Sequence, residues 1–157
     1  MDHETYSLPN DAPSDLLELL ERWKHVWKQH PPTQRDFLFD ELVVEYPGLF
    51  LVDPSPERDG DFDPIFVRAG PECKKRIRND MEGLPYSRSI NPRVFAQVKR
   101  IYPQIIETGE PHYWEITNAF FGVPPQQYYR LLLPIYDSGE RVSRLLGICV
   151  WVGDKIE

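Results

Sequence analysis

The side chains that could carry chemistry are few and widely separated in this sequence. The histidines stand at four isolated positions: His3, His25, His30 and His112. The two cysteines, Cys73 and Cys149, are too few for a disulfide framework or a multi-cysteine zinc site. No glycine-rich phosphate loop, nucleophile elbow or paired-histidine zinc motif is present. The sequence therefore predicts no metal site and no catalytic residue, and it favours a protein that is not an enzyme.

One stretch, HYWEIT at positions 112–117, nevertheless suits acid–base chemistry. Glu115 is able to act as a base, and Tyr113 or Tyr129 to donate a hydrogen bond to an oxygen that gains negative charge. Alternate side chains of a strand share a face, so Glu115 and Tyr113 line a pocket together or, equally well, face solvent. An isomerase-like enzyme with a small α+β pocket is the second hypothesis.

Length and charge narrow the class of protein. The 157 residues, 41% of them hydrophobic, are enough for one globular domain with a buried core. The 25 acidic and 18 basic side chains give a net charge of −7, which disfavours binding to a phosphate backbone or an anionic membrane surface. No apolar run approaches the ~20 residues that cross a bilayer, and the polar N-terminus shows no secretory signal. We expect a cytoplasmic protein without a nucleic-acid or membrane partner.

The first half of the chain predicts two helices followed by two strands. A helix over 15–29 carries an apolar stripe at helical spacing: Leu16, Leu19, Leu20, Trp23, Val26 and Trp27. A second helix over 33–46 ends at Pro47-Gly48. Short apolar runs at 49–53 and 65–69 are typical of strands, and the polar loop between them predicts an antiparallel pair.

The second half predicts two more helices and then three strands. A short basic helix follows Gly70, and a longer one begins at Asn91-Pro92 and ends at Thr108-Gly109. Pro103 lies inside the longer helix, so we expect a kink or a break near Tyr102. Strands are predicted over 111–118, 127–136 and 142–152, with a hairpin turn between the last two.

Both faces of the final strands are apolar, although a sheet with one wet face alternates apolar and polar residues. Leu146, Ile148 and Val150 lie on one face, and Leu145, Cys149 and Trp151 lie on the other. Both faces of the sheet should therefore be covered. We expect the inserted helices on one face, and the N-terminal helix or a second subunit on the other.

Four segments of the sequence resemble PAS domains. They are GLFLVDP at 48–54, PIFVRAGPECKKRI at 64–77, TGEPHYWEI at 108–116 and YYRLLLPIYDSGERVSRLLGI at 128–148. The chain is most similar to short, stand-alone bacterial PAS proteins of the alphaproteobacterial type. The resemblance implies an α+β fold in which a five-stranded antiparallel sheet carries inserted helices on one face. It divides the chain into an N-terminal tail and amphipathic helix (1–37), a PAS-like domain (38–152) and a C-terminal tail (153–157).

The resemblance also implies a role. A stand-alone PAS protein is a sensory or regulatory module of bacterial signalling that binds a small molecule, an unidentified signalling protein or both, without catalytic output. PAS proteins frequently form dimers through a helix that precedes the core. The interface residues expected here are Leu16, Leu20, Trp23 and Trp27. Folding of this helix onto its own sheet is the alternative.

A PAS pocket lies between the sheet and the inserted helices. The ligand-binding residues expected there are Arg68, His112, Tyr113, Trp114, Tyr129, Leu131 and Ile148. Packing of the same aromatic residues in a filled core is an equally good interpretation. His112 alone could ligate haem iron, but a lone histidine without a supporting motif favours a structural role. Cys73 lies in PECKKRI, which does not resemble the motif around the reactive cysteine of flavin photoreceptors. A flavin photosensor is therefore not expected, and the cofactor stays unidentified.

Overall fold

The computed structural model describes residues 3–54, 57–58, 61–77, 81–117 and 126–152. Its helices are α1 (Ser14–Trp27), α2 (Phe39–Glu45), α3 (Pro71–Ile77) and α4 (Pro92–Thr108), with a 3-10 helix at Tyr86–Arg88. Its strands are β1 (His3–Thr5), β2 (Leu49–Asp53), β3 (Glu57–Arg58), β4 (Asp61–Phe62), β5 (Ile65–Ala69), β6 (His112–Thr117), β7 (Gln127–Tyr136) and β8 (Val142–Trp151). None of these helices is long and apolar enough to span a membrane.

The main sheet is antiparallel and has the strand order β1-β6-β7-β8-β2-β5. The predicted five-stranded α+β sheet is thereby confirmed. Strand β1, which the sequence did not predict, adds three residues at the β6 edge. Strands β3 and β4 pair with each other outside this sheet. Strands β5 and β6 lie toward opposite edges of the sheet, so the connection between them crosses the sheet, and its helices pack on one face.

The helices of the insertion pack on what we call the insert face of the sheet. This face presents Phe50, Val52, Trp114, Tyr128 and Cys149, among others. Opposite them lie buried apolar residues of α3, of segment 81–90 and of α4. The prediction that inserted helices cover one face is confirmed. A cavity lies between these helices and the sheet.

Helices α1 and α2 cover the opposite face, which we call the N-terminal face. The sheet contributes Leu49, Leu51, Tyr113, Leu131 and Ile148 to this second core, among others. The helical stripe packs directly on them, with Leu16, Leu19, Leu20 and Trp23 buried. The expectation that both faces are covered is confirmed.

The expected dimer interface is wrong for three of its four residues. Leu16, Leu20 and Trp23 are buried within the single chain, and Trp23 Nε1 donates a hydrogen bond of 2.8 Å to the carbonyl of Pro134. These side chains fill the N-terminal face, so none is free to meet a second copy. Trp27 is 39% exposed and contacts Trp23 and Tyr136 edge-on.

Helix boundaries follow local chemistry where the sequence supplies a cap. The Asn91 side chain accepts from the Arg93 amide at the start of α4, and Gly109 ends the helix at φ 71°. The helix continues through Pro103, so the predicted break is wrong. Helix α2 begins at Phe39 rather than near Thr33, since Thr33 and Asp36 form a capped turn and Leu38 is extended.

Candidate functional site

A cavity lies between the insert face and the inserted helices. Its volume is about 30 Å³, which is room for little more than one water molecule. The sheet supplies one wall, and α3, segment 81–90 and α4 supply the other. The lining residues are Phe50, Phe66, Cys73, Ile77, Met81, Tyr86, Ile90, Val94, Val98, Tyr102, Trp114, Ile116, Tyr128, Arg130, Cys149 and Trp151. A concave, apolar site with few polar groups is the usual form of a small-molecule pocket.

Arg130, in the middle of β7, is the one charged residue among the described residues of this lining. Its side chain is 5% exposed, and its guanidinium lies 4.8 Å from the centre of the Trp114 ring and 5.8 Å from that of Tyr102. Both aromatic faces attract a cation. Among the described residues, Nε of Arg130 has no hydrogen-bond partner. A positive charge therefore faces an apolar cavity.

His112 forms a hydrogen bond with Nη2 of this guanidinium. It is fully buried in β6, and its Nδ1 lies 2.6 Å from Nη2 of Arg130. Arginine has only donors, so Arg130 donates and Nδ1 accepts. In this arrangement the imidazole is neutral, with its proton on the other ring nitrogen. His112 does not line the cavity, and it positions Arg130.

Three tyrosines of the lining, Tyr86, Tyr102 and Tyr128, supply hydroxyl groups. The hydroxyls of Tyr86 and Tyr102 lie 2.9 Å apart, deep in the core. Burial raises the pKa of both phenols, and the pKa of Tyr128 as well, so all three stay neutral near pH 7. One of the paired hydroxyls donates its proton to the other. The hydroxyl that accepts still has its own proton to donate.

The two cysteines of the lining are unreactive. Cys73 Sγ donates to the carbonyl of Gly48 at 3.3 Å, and burial raises the pKa of its thiol to about 12. Burial likewise raises the pKa of Cys149, on β8. A thiol attacks as its thiolate, which these environments suppress.

The structure places only one of the expected ligand residues, Trp114, in the cavity lining. Four others belong to the opposite core: Tyr113, Tyr129, Leu131 and Ile148. Their expected position in the pocket is wrong because alternate residues of a strand face opposite sides, and the inserted helices cover the side that holds Trp114. These four residues belong to the core that α1 and α2 cover.

Arg68 is also displaced from the expected position. The register of β2 with β5 shifts between Leu51 and Val52, and Arg68 lies beside Leu51 on the N-terminal face. Its guanidinium stacks 4.6 Å from the Phe39 ring and pairs with Asp40. Arg68 therefore joins β5 to α2 and does not line the cavity.

The residues of the acid–base hypothesis lie away from the cavity as well. Tyr113 donates a hydrogen bond of 2.9 Å to Glu115, and burial raises the pKa of this phenol. The two form a closed pair on the N-terminal side of β6, next to Tyr129. Neither Tyr113 nor Glu115 lines the cavity.

Sequence reasoning missed the polar groups that do face the cavity. Arg130 stands in YYRLLLPIY, where its position two residues from Tyr128 and from Leu132 places it on their face. A lone arginine within such an apolar strand was the available signal. Tyr86 lies in a segment without periodicity, so nothing in the sequence pointed to its hydroxyl.

Comparisons with known proteins give matches among solved structures alone. No family model and no curated protein matches the chain. It is similar to an RNA-binding light-oxygen-voltage receptor (TM-score 0.55, 14% identity, covering 97% of this chain and 38% of the receptor). It is also similar to a fungal light-oxygen-voltage photoreceptor domain (0.52, 18%, 88% and 92%) and to a light-oxygen-voltage domain studied with a flavin analogue (0.50, 16%, 74% and 85%).

Light-oxygen-voltage domains are a subfamily of PAS domains, so these matches show that the chain has a PAS-like fold. At such low identity they show the fold and nothing about the ligand. One fold hosts many functions, and the function has to be argued from the cavity and its residues.

Proposed function

We propose that this protein is a PAS-type sensory module that binds a small molecule between the insert face and the inserted helices. The observation that carries the proposal is the apolar cavity with one buried, incompletely hydrogen-bonded arginine in its wall. If the core served packing alone, an apolar residue at position 130 would give a more stable fold than a buried arginine.

The small volume of the cavity indicates how binding would change the structure. Only a water-sized molecule fits in about 30 Å³, so a larger ligand separates the helical wall from the sheet as it binds. Binding and wall displacement are then one equilibrium, and the ligand shifts it by its preference for the open form. The displaced surface of α3 and α4 is what a partner protein would recognise.

The remaining features of the proposal follow the sequence. We keep a cytoplasmic, non-catalytic bacterial module whose output passes through an unidentified signalling protein. A homodimer stays part of the proposal, through surfaces other than the buried α1 stripe. One structural neighbour is described as RNA-binding, but the net charge of −7 disfavours a nucleic-acid partner for this chain.

Flavin, named for one structural neighbour, does not fit the residues present as a photoreactive cofactor. The two thiols are the chain's full set of cysteines, and both are buried with raised pKa values. We therefore assign no flavin chemistry to the site.

Mass spectrometry of the freshly purified protein tests the proposal. Under native conditions we expect a mass above the 18.5 kDa chain, and after denaturation the bare chain with a released small molecule. A bare chain in both spectra, from protein purified without heating or organic solvent, would instead favour a filled core that acts through protein contacts alone.

Filling the cavity should separate binding from folding. Val98 is buried in α4 and lines the cavity, and Val98→Ile adds one methylene there. We expect the ligand-free variant to gain about 0.5–1 kcal/mol in free energy of unfolding and to retain less small molecule. Denaturant unfolding and native mass spectrometry measure the two effects.

Val44→Ile is the matched control for this change, since Val44 lies on α2 and is 85% exposed. It should alter neither stability nor the retained mass. A Val98→Ile variant that kept the full retained mass would place the ligand elsewhere.

A further inference from the structure

We propose that the ligand of this cavity is a carboxylic acid with an apolar body, bound as its carboxylate, and that Arg130 is its anchor. The inference rests on the proposed function and names the chemical class of the ligand.

The positive charge of Arg130 has no counter-charge among the described residues. Its one hydrogen-bond partner there is the neutral His112, and no carboxylate forms an ion pair with it. The nearest titratable groups in the lining are tyrosines and cysteines that burial keeps protonated. A buried cation without a counter-charge is costly, whereas an anion brought by the ligand would neutralise it.

The donors available match a carboxylate. Nε–H of Arg130 is unused, and one hydroxyl of the Tyr86–Tyr102 pair keeps a proton to donate. The Tyr102 ring centre lies 5.8 Å from the guanidinium carbon, so the two donors belong to the same end of the cavity. One cation suits a monoanion whose two oxygens accept from the guanidinium and from a hydroxyl, whereas a phosphate dianion requires more positive charge.

The rest of the lining determines the body of the ligand. Apart from Arg130 and the tyrosine hydroxyls, the wall is aliphatic, aromatic and thiol, with Ile77, Val94, Val98 and Ile116 prominent. Among the residues that the structure describes, this surface offers hydrogen bonds to no second polar group of a ligand. A hydrocarbon or aromatic tail is therefore favoured over a sugar, a peptide or a dicarboxylate.

Paired probes test this inference directly. Calorimetric titrations would compare decanoic acid with decan-1-ol, and octanoic acid with octan-1-ol, near neutral pH. Each pair shares its chain and differs in the head group. We expect the wild-type protein to bind the acids at least about tenfold more tightly than the alcohols.

Two arginine variants assign the preference to one residue. Arg130→Met should remove the difference between acid and alcohol, because the guanidinium is gone. Its effect on the melting temperature combines the removal of a buried cation with the loss of the donor to Nδ1 of the buried His112. Arg68→Met is the matched control on the opposite face and should leave the preference intact. A cooperative melting transition of each variant shows that it is folded, so that lost binding is not caused by misfolding.

The outcomes separate the inference from the proposed function. Equal affinity for acids and alcohols, or a preference that survives Arg130→Met, would overturn the carboxylate assignment and leave the pocket standing. Failure of both acids and both alcohols to bind the wild type would overturn the pocket together with its ligand class.

Discussion

Leu16→Ala is expected to lower the free energy of unfolding by about 3–5 kcal/mol. Leu16 is fully buried in α1, where it packs on the N-terminal face of the chain's own sheet. Truncation removes the transfer free energy of the side chain and leaves a cavity, which together give losses of this size for leucine. Urea unfolding followed by circular dichroism measures the change.

The control for this substitution lies on the same helix. Trp27→Ala removes a larger but 39% exposed side chain and should cost clearly less than Leu16→Ala. The loss at Leu16 should also be the same at low and high protein concentration, since the contact lies within one chain. A midpoint that rose with concentration, with comparable losses at both positions, would instead favour pairing of α1 with a second copy.

Gly48→Ala is expected to cost about 3 kcal/mol or more. A Cβ at this position would lie only 2.0 Å from the backbone carbonyl oxygen of Cys149, and a backbone atom cannot turn aside as a side chain can. Gly48 also accepts from the Cys149 amide and from the Cys73 thiol. The turn thus joins β2, β8 and the start of α3, so the substitution should also loosen the cavity wall.

Gly139→Ala is the matched control for this change. Its Cβ would meet only the Asp137 side chain, at 3.4 Å, in the turn between β7 and β8. Little effect on the thermal midpoint is expected there. Equal midpoints for the two variants would show that β2 and β8 approach less closely than described.

The elements of this fold were largely predictable because its sequence signals are local. The apolar stripe of α1, the Asn91-Pro92 start and Gly109 end of α4, and the final hairpin all appear where patterning and capping place them. Strand β1 was missed because HET is polar and too short to show periodicity. Its pairing with β6 depends on an edge that only the folded sheet presents.

The site was less predictable for a physical reason. Where both faces of a sheet are apolar, alternation separates the residues into two sets but does not say which set meets the inserted helices. Tyr113 and Trp114 are adjacent and both aromatic, yet only Trp114 reaches the cavity. The register shift that turns Arg68 away was likewise invisible in the sequence.

The most direct test of the account is the position of a bound molecule relative to the two faces. Methyl-labelled protein titrated with decanoate would report it by nuclear magnetic resonance. We expect the methyl signals of Ile77, Val98 and Ile116 to shift on binding and those of Leu131 and Ile148 to stay in place. Shifts concentrated at Leu131 and Ile148, with the insert-face methyls unchanged, would contradict it.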